Sequence, residues 1–413
     1  MSRTLSPTTA FAGVTAVFAA FFLAAGAPTP LLSLRQQEWG FSAGTLTFAF
    51  SVYAIGLLAA LLIGGSLSDH VGRRPVLLAA LYGELASMIV FLVAPNITWV
   101  IVARLVQGLA TGLATSAFSA AIVEHAPAHR KKLAGGLAAA SVAGGLGVGA
   151  LLTGVAVQFT RFANTLVFGI LAGIMLLAIG FVSFTSETAT KRPGVGRSLI
   201  PRISLPSHIR REFFGGIPVH IAGWMFPAFF LGLSPAVLRL HFGLHGGLVT
   251  GFTAFLGPFT AALSGFLFGR HAPRRSTLTG VSLVLAGMVV VLVGVTGTWL
   301  PILWIGAVIG GFGFGGAFGG NVRLIAPHVQ PQERAGVFAG IYTVAYLSFG
   351  IPVIIAGQLA PRWGLIRTFE SYAGVVIALA AISIVVQAAL ARREAATHLQ
   401  TPVGTSVQEP VRG

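Results

Sequence analysis

The sequence predicts an all-α membrane protein of twelve transmembrane helices, built as two parallel six-helix repeats around a central cavity. Three observations carry that prediction. The chain is 55% hydrophobic and only 9% charged over 413 residues, with a mean hydropathy of +0.87, whereas a soluble domain carries about 25% charged residues. Its apolar residues gather into twelve runs, each near the roughly 20 residues that cross a bilayer as a helix. Pieces of the first half also recur in the second at an almost constant offset.

The runs lie at about 9–32, 43–67, 75–94, 97–123, 133–157, 164–184, 214–238, 247–269, 276–296, 300–325, 335–360 and 368–390. The first, from Thr8 to Leu32, is too long for a signal-peptide core and is expected to remain as a spanning helix. One long polar stretch, 185–213, runs from Lys191-Arg192-Pro193-Gly194 through Arg210-Arg211. The expected organisation is an amino-terminal bundle over 1–184, a basic cytoplasmic central loop over 185–213, a carboxy-terminal bundle over 214–390 and a disordered cytoplasmic tail over 391–413.

The net charge is +16, but the basic residues sit in short loops between apolar runs rather than in a nucleic-acid-binding patch. Of the 26 Lys and Arg residues, 20 fall on the side of the amino terminus. Five (Arg35, Arg161, Arg239, Arg362, Arg367) fall on the other side, and Arg104 alone lies inside a run. Positively charged loops stay inside, so both termini are expected in the cytoplasm of a multi-pass plasma (inner) membrane protein. The expected partners are a small-molecule substrate and the lipid bilayer, with no nucleic acid, and the chain is expected to be a monomer. Without cysteine there is no disulfide framework, thiol nucleophile or Cys-ligated metal. No catalytic triad or metal cluster is evident, so neither an enzyme nor a cofactor is expected.

The repeat is clearest around the turn Gly65-Ser66-Leu67-Ser68-Asp69-His70-Val71-Gly72-Arg73-Arg74-Pro75. Its outline returns as Gly265, Leu267, Arg270, Arg274 and Arg275, with Gly269 where the acid would be. Ala126-Pro127 matches Ala326-Pro327, and Trp99 matches Trp299. An even number of helices per half makes the repeats parallel, related by an axis along the membrane normal. Two such bundles enclose a cavity and can rock about a midplane site, which suits alternating-access transport.

Gly65-x-Leu67-x-Asp69-x-x-Gly72-Arg73-Arg74 resembles the signature 2–3 loop of the major facilitator superfamily. Arg104-Leu-Val-Gln107-Gly108 resembles the helix-4 motif of its proton-coupled members, and Pro331-Gln-Glu333-Arg334-Ala335 its 10–11 loop. The resemblance spans the chain and implies a secondary transporter, nearest the drug/proton antiporter branch, with the proton as coupling ion and efflux as direction. Two departures stand out. Helix 5 reads Gly147-Val-Gly149-Ala150-Leu-Leu-Thr153-Gly154 without the usual Gly-Pro pair, and helix 1 carries no acid. A facilitator or a proton symporter for a small metabolite is therefore the alternative, with a transporter-like sensor more distant.

Four groups of residues are candidates for function. In the opening turn, Gly72 permits a tight bend that returns Arg73 and Arg74 to the bundle, and Glu124 is their natural partner. Asp69 is expected to bind the exposed N–H groups of a helix from the other half; the resemblance implies helix 11, starting near Arg334. Gly65 completes this gating motif. Arg104, about seven residues inside helix 4, lies roughly 10 Å below the surface; it either snorkels outward or faces the cavity, tuning an acid or contacting an anionic or polar substrate. Gln107 and Gly108 share its motif. Glu84 is the one acid well inside a run. Desolvation and a neighbouring Arg104 would act on its ionisation in opposite senses, so it is either a proton carrier or a structural group bonded to a neighbouring helix. Trp224 and Phe229 on helix 7, with Tyr342 and Tyr346 on helix 11, line an apolar pocket or simply pack. His220 on helix 7 either titrates near neutrality or is a satisfied core histidine.

Overall fold

The computed structural model describes residues 6–189, 193–200, 203, 205–330 and 333–400. Among them, twelve helices are long and apolar enough to cross a membrane, and there is no strand. They are α1 (Thr8–Trp39), α2 (Ala43–Gly64), α3 (Arg73–Val93), α4 (Ile97–His125), α5 (Leu133–Phe159) and α6 (Ala163–Ser183), followed by α7 (Ser207–Leu240), α8 (Gly247–Phe268), α9 (Pro273–Thr296), α10 (Leu300–His328), α11 (Gly336–Trp363) and α12 (Leu365–Glu394). Local chemistry sets most ends. Ser42 caps α2 by accepting from the Thr45 N–H, and Asn96 caps α4 by accepting from Thr98 and Trp99. Pro273 starts α9, where its missing N–H costs nothing.

Three ends differ from the apolar runs. α1 continues past residue 32 to Trp39, because Pro28 and Pro30 restart the helix at its first turn and only Gly40, at φ 67°, stops it. α7 contains a π-helical turn at Phe229–Leu233, just before Pro235. Pro235 lacks an N–H and crowds the carbonyl four residues back, so the helix widens there. The carboxy-terminal helix does not end at 390 as the tail assignment expects. It runs from Leu365 to Gln400, because Ala391-Arg-Arg-Glu-Ala-Ala are strong helix formers and Glu394 is bonded to Arg274 of α9. The rest of that tail, 401–413, lies outside the described residues, as do Lys191, Arg192, Pro331 and Gln332.

The repeat is visible in the packing. α3 packs on α4 and α6 as α9 packs on α10 and α12, and α1 packs on α5 as α7 does on α11. Each fourth helix of a half also leads into a short 3₁₀ turn, Ala128–Arg130 and Ala326–His328. The bundles meet along two seams, α5 with α8 and α2 with α11.

The α5–α8 seam opens progressively. At the end away from the termini, a Cβ on Gly247 would lie 2.6 Å from the Val157 Cβ, and one on Gly154 2.7 Å from the Gly251 Cα. Nearer the middle, a Cβ on Gly147 would lie 2.9 Å from the Phe255 carbonyl, and one on Gly144 3.5 Å from Ala262. At the termini-bearing end, a Cβ on Gly136 would lie 3.8 Å from the Phe266 ring, and one on Gly135 or Gly265 would meet nothing within 4 Å. In the second seam a Cβ on Gly44 would touch Gln358 at 2.8 Å at the far end, and at mid-span one on Gly350 would lie in van der Waals contact with Ala54 and Ser51 at 3.7 Å. Polar links reinforce the closed end. Arg239 of α7 donates to Gln36 of α1 at 2.5 Å there, and at mid-span Ser51 of α2 donates to the Gly350 carbonyl at 3.1 Å. The bundles are thus joined at the far end and parted at the end carrying the termini.

The chain has no native cysteine, so paired replacements read this geometry directly. Val157→Cys with Gly247→Cys is expected to cross-link under mild oxidation, because a small outward shift from the 2.6 Å approach puts the two Cβ atoms in the range of about 3.5–4.5 Å that a disulfide needs. Gly136→Cys with Phe266→Cys is expected to stay reduced, because a Cβ at Gly136 reaches only the Cε1 edge of the Phe266 ring, far from the Phe266 Cβ. Equal cross-linking at both ends would contradict the graded seam.

Candidate functional site

The turn between α2 and α3 is a short helix, Leu67–Val71, ended by Gly72 at φ 117°. That backbone region is strained for any residue with a Cβ, so glycine is required where the chain reverses into α3. Gly65 sits one turn earlier, at the C-cap of α2. Arg73 is the hub: its guanidinium pairs with Asp69 at 2.5 Å and Glu124 at 3.0 Å, and donates to the Ser68 hydroxyl at 2.6 Å.

Asp69 is engaged within its own turn by Arg73, and among the described residues no hydrogen bond or ion pair joins it to the start of α11. A residue that sequence reasoning missed completes the turn. Glu187, in the central loop, accepts from the main-chain N–H groups of Arg73 at 2.8 Å and Arg74 at 3.1 Å. Gly72 offers no capping side chain, so a carboxylate from the loop satisfies the first donors of α3 and meets the positive end of its dipole. Thr188 next to it donates to Glu124 at 2.5 Å, and Ser66 donates to the Ser198 carbonyl at 3.2 Å. The central loop is therefore fastened to the signature turn.

The second copy of the turn, lacking its acid, is held differently. Arg323 of α10 donates to the carbonyls of Phe268, Gly269 and His271 at 2.9–3.2 Å. Arg274 turns into its own bundle to pair with Glu212 at 3.0 Å and with Glu394, and donates to Gln387 at 2.6 Å. Nothing in the local sequence marks Glu212 or Glu394 as partners of Arg274; only the packing of α7, α9 and α12 brings them together.

Inside the amino-terminal bundle, Glu84, Gln107 and Arg104 form one buried chain. Arg104 donates to Gln107 Oε1 at 2.7 Å, to the Ala25 carbonyl at 3.0 Å and to the Phe50 carbonyl at 3.2 Å. Gln107 in turn donates to Glu84 Oε1 and to the Ala24 carbonyl, both at 3.0 Å. Arg104 is 2% exposed and Glu84 fully buried, so Arg104 does not snorkel. The two charges do not touch: the amide of Gln107 stands between them. The Ala24 and Ala25 carbonyls are available because the α1 helix is interrupted at Ala27–Pro28, which leaves orphan acceptors there. Gly108 has a packing role: a Cβ there would lie 3.0 Å from the Leu57 main-chain nitrogen and closer still to the Tyr53 carbonyl. Its absence lets α4 lie against α2 and puts Arg104 over the Tyr53 ring, 4.4 Å from the centroid.

Of the four aromatic candidates, three come together. Trp224 meets Tyr346 at 5.1 Å between centroids, and Tyr346 meets Tyr342 at 6.2 Å. Phe229 is a correction: it is fully buried against Phe369 of α12 at 4.9 Å and Phe230 at 5.0 Å. Beyond the start of the π turn it faces the outer helix of its own bundle, not the seam. Phe314 and Phe318 of α10 take its place beside Trp224; their spacing of four on a helix was a legible signal. His220 is buried edge-on to Phe318 at 5.5 Å, and neither ring nitrogen has a hydrogen-bond partner. No group of side chains suited to a metal ion occurs among the described residues.

The family model of the Major Facilitator Superfamily matches residues 14–299. The chain belongs to this superfamily. Similar curated members include the cyanate transport protein CynX of Escherichia coli (strain K12), 28% identical over 83% of this chain and 85% of that one. The multidrug resistance protein MdtL of Shewanella sp. (strain ANA-3) is 24% identical over 76% and 80%. The quinolone resistance protein NorA of Staphylococcus aureus is 24% identical over 38% and 42%. Among solved structures, the human organic anion transporter MFSD10 aligns at TM-score 0.68 with 18% identity, over 92% of this chain and all of that one. A bacterial homologue of the lysosomal transporter Spinster, inward-facing and unoccupied, aligns at 0.71 with 13% identity, over 94% and 98%. At those identities the structures share the superfamily fold.

Replacing Glu187 by Ala is expected to lower stability in detergent by about 1 kcal/mol, the cost of a lost helix cap. Thermal denaturation reads this, and an unchanged midpoint would remove Glu187 from the role of cap.

Proposed function

We propose that this member of the superfamily is a secondary active transporter that exports a small organic or amphipathic solute by alternating access, coupled to protons, across the plasma (inner) membrane. The observation that carries this reading is the graded seam, joined at one end and parted at the other. The excess of Lys and Arg on the parted side orients that end toward the cytoplasm, so the arrangement is inward-facing, the state in which an exporter loads. The similarity to MdtL and NorA, both named for drug resistance, agrees with efflux.

Glu84 is the proposed proton carrier. Its Oε1 is tied through Gln107 to Arg104, while its Oε2 has no partner. A change of charge on this carboxyl alters what the Gln107 amide accepts and donates, and so the hold on Arg104. Substrate or closure of the seam would act on the chain through α2, which carries Phe50 and Tyr53. The gating motif is proposed to work in the other half of the cycle. When the termini-bearing ends close, Asp69 leaves Arg73 for the N–H groups at the start of α11, and Arg73 keeps Glu124.

The second reading is a facilitator or proton symporter. It is favoured by the acid-free helix 1, by the absence of a Gly-Pro pair in helix 5 and by the similarity to a cyanate transport protein. Proteoliposomes separate the readings. An imposed pH gradient is expected to drive uphill flux of a substrate drawn from a resistance screen. Glu84→Gln is expected to abolish uphill flux and to keep substrate counterflow; uphill flux that survives would exclude Glu84 as the carrier. Asp69→Asn is expected to impair transport without loss of inserted protein, and normal transport in that variant would remove the latch.

A further inference from the structure

The guanidinium of Arg104 is buried with neutral partners alone: two carbonyls and one amide. Its Nε has no partner. A charge held this way in a low-dielectric interior is undercompensated, because hydrogen bonds satisfy its donors without supplying an opposite charge. Arg104 stacks on Tyr53, whose hydroxyl is also buried and unpartnered. Tyr53 stands on α2, one of the seam helices, and Arg104 lies behind it. Phe50, one turn before Tyr53, meets Phe349 of α11 at 5.2 Å, and Phe349 meets Trp224 at 5.9 Å. The indole N–H of Trp224 is the next buried donor without an acceptor. From α4 across α2 and α11 to α7, a contiguous aromatic path thus carries three unused donors. No buried carboxylate other than Glu84 occurs among the described residues, and Gln107 occupies one of its oxygens.

We propose that this seam binds an aromatic organic anion, with its negative group set against Arg104 and Tyr53 and its ring among Trp224, Phe318, Tyr342 and Tyr346. The chemistry is complementary on each count. An anion supplies the charge Arg104 lacks and accepts from the stranded N–H and O–H groups, and hydrogen bonds to charged groups are the stronger kind. An aromatic body fits Trp224, Phe318 and Tyr342, which are half-buried rather than packed away, and which offer ring edges and faces at 5–6 Å from one another. An organic cation would find unused donors and a positive charge in the same place.

Calling this a transport site rests on the alternating-access reading above, but the binding does not. The test uses the full chain purified in detergent at neutral pH, without a gradient. Calorimetry with 2-naphthoate, 2-naphthamide and 2-naphthylmethylammonium compares one ring with three charges. Naphthoate is expected to bind about tenfold or more tightly than the amide, and the ammonium more weakly still. Tyr53→Phe and Trp224→Phe keep the rings and remove one donor each. Each is expected to weaken naphthoate about fivefold and to leave the amide within about twofold. No detectable naphthoate binding, equal affinity for the three probes, preference for the ammonium, or unchanged naphthoate affinity in both variants would each overturn the proposal. Transport that fails while anion preference persists would sink the transport reading and leave the site. Transport that persists without anion preference would do the reverse.

Discussion

A guanidinium inside a membrane bundle has to find every acceptor within the protein, and the amino-terminal half is arranged around meeting that need for Arg104. The proline break in α1 exposes the Ala24 and Ala25 carbonyls. Gly108 draws α2 onto α4, which brings the Phe50 carbonyl and the Tyr53 ring into reach. Gln107, one turn along, accepts a further N–H and extends the chain to Glu84 on α3, while the Nε of Arg104 is left without a partner. Four helices are therefore fixed relative to one another by one side chain and its amide neighbour. An unpaired buried donor costs about 1–3 kcal/mol, so this arrangement is hard to leave partly made.

The two halves descend from one plan but spend their charges differently. In the first, Arg73 collects Asp69 and Glu124 at the signature turn, and Glu187 of the central loop caps the helix that follows. In the second, Gly269 stands where the acid would be, and the loop is held by Arg323 donating to carbonyls. Arg274 is drawn sideways into its own bundle by Glu212 and Glu394. The first turn keeps Asp69, the carboxylate that the proposed latch moves from Arg73 to α11. The second is stitched to its own backbone, which leaves it little to exchange. On the same side of the molecule, one half thus carries a turn built on side-chain ion pairs and the other a turn stitched to its own backbone.

The seams fix where the two bundles touch and where they part. Glycine and small residues bring α5 against α8 and α2 against α11 at the far end, where backbone nearly touches backbone. Such close approach is the usual basis of helix association in a bilayer, where apolar burial gives no advantage over lipid. Farther along, the same helices diverge. The aromatic residues that meet across this region, Phe50, Phe349, Tyr346 and Trp224, have edges and faces that can slide without losing contact.

The sequence by itself determined the membrane class, the twelve spans, the parallel repeat and the turn that marks the superfamily. Each of these is written in local pattern: apolar length, charge placement and a glycine where the backbone must reverse. It also singled out Arg104, Gln107 and Glu84, because polar groups are conspicuous inside apolar runs. What it did not determine is how they meet. That Gln107 stands between the two charges, that Phe229 faces α12 while Phe314 and Phe318 face Trp224, that Glu187 caps α3 and that Asp69 is held by Arg73 all depend on helix rotation and on the separation of the bundles. Those are set by contacts between residues far apart in the chain, and a π turn of a single extra residue is enough to turn a side chain from one face of a helix to another.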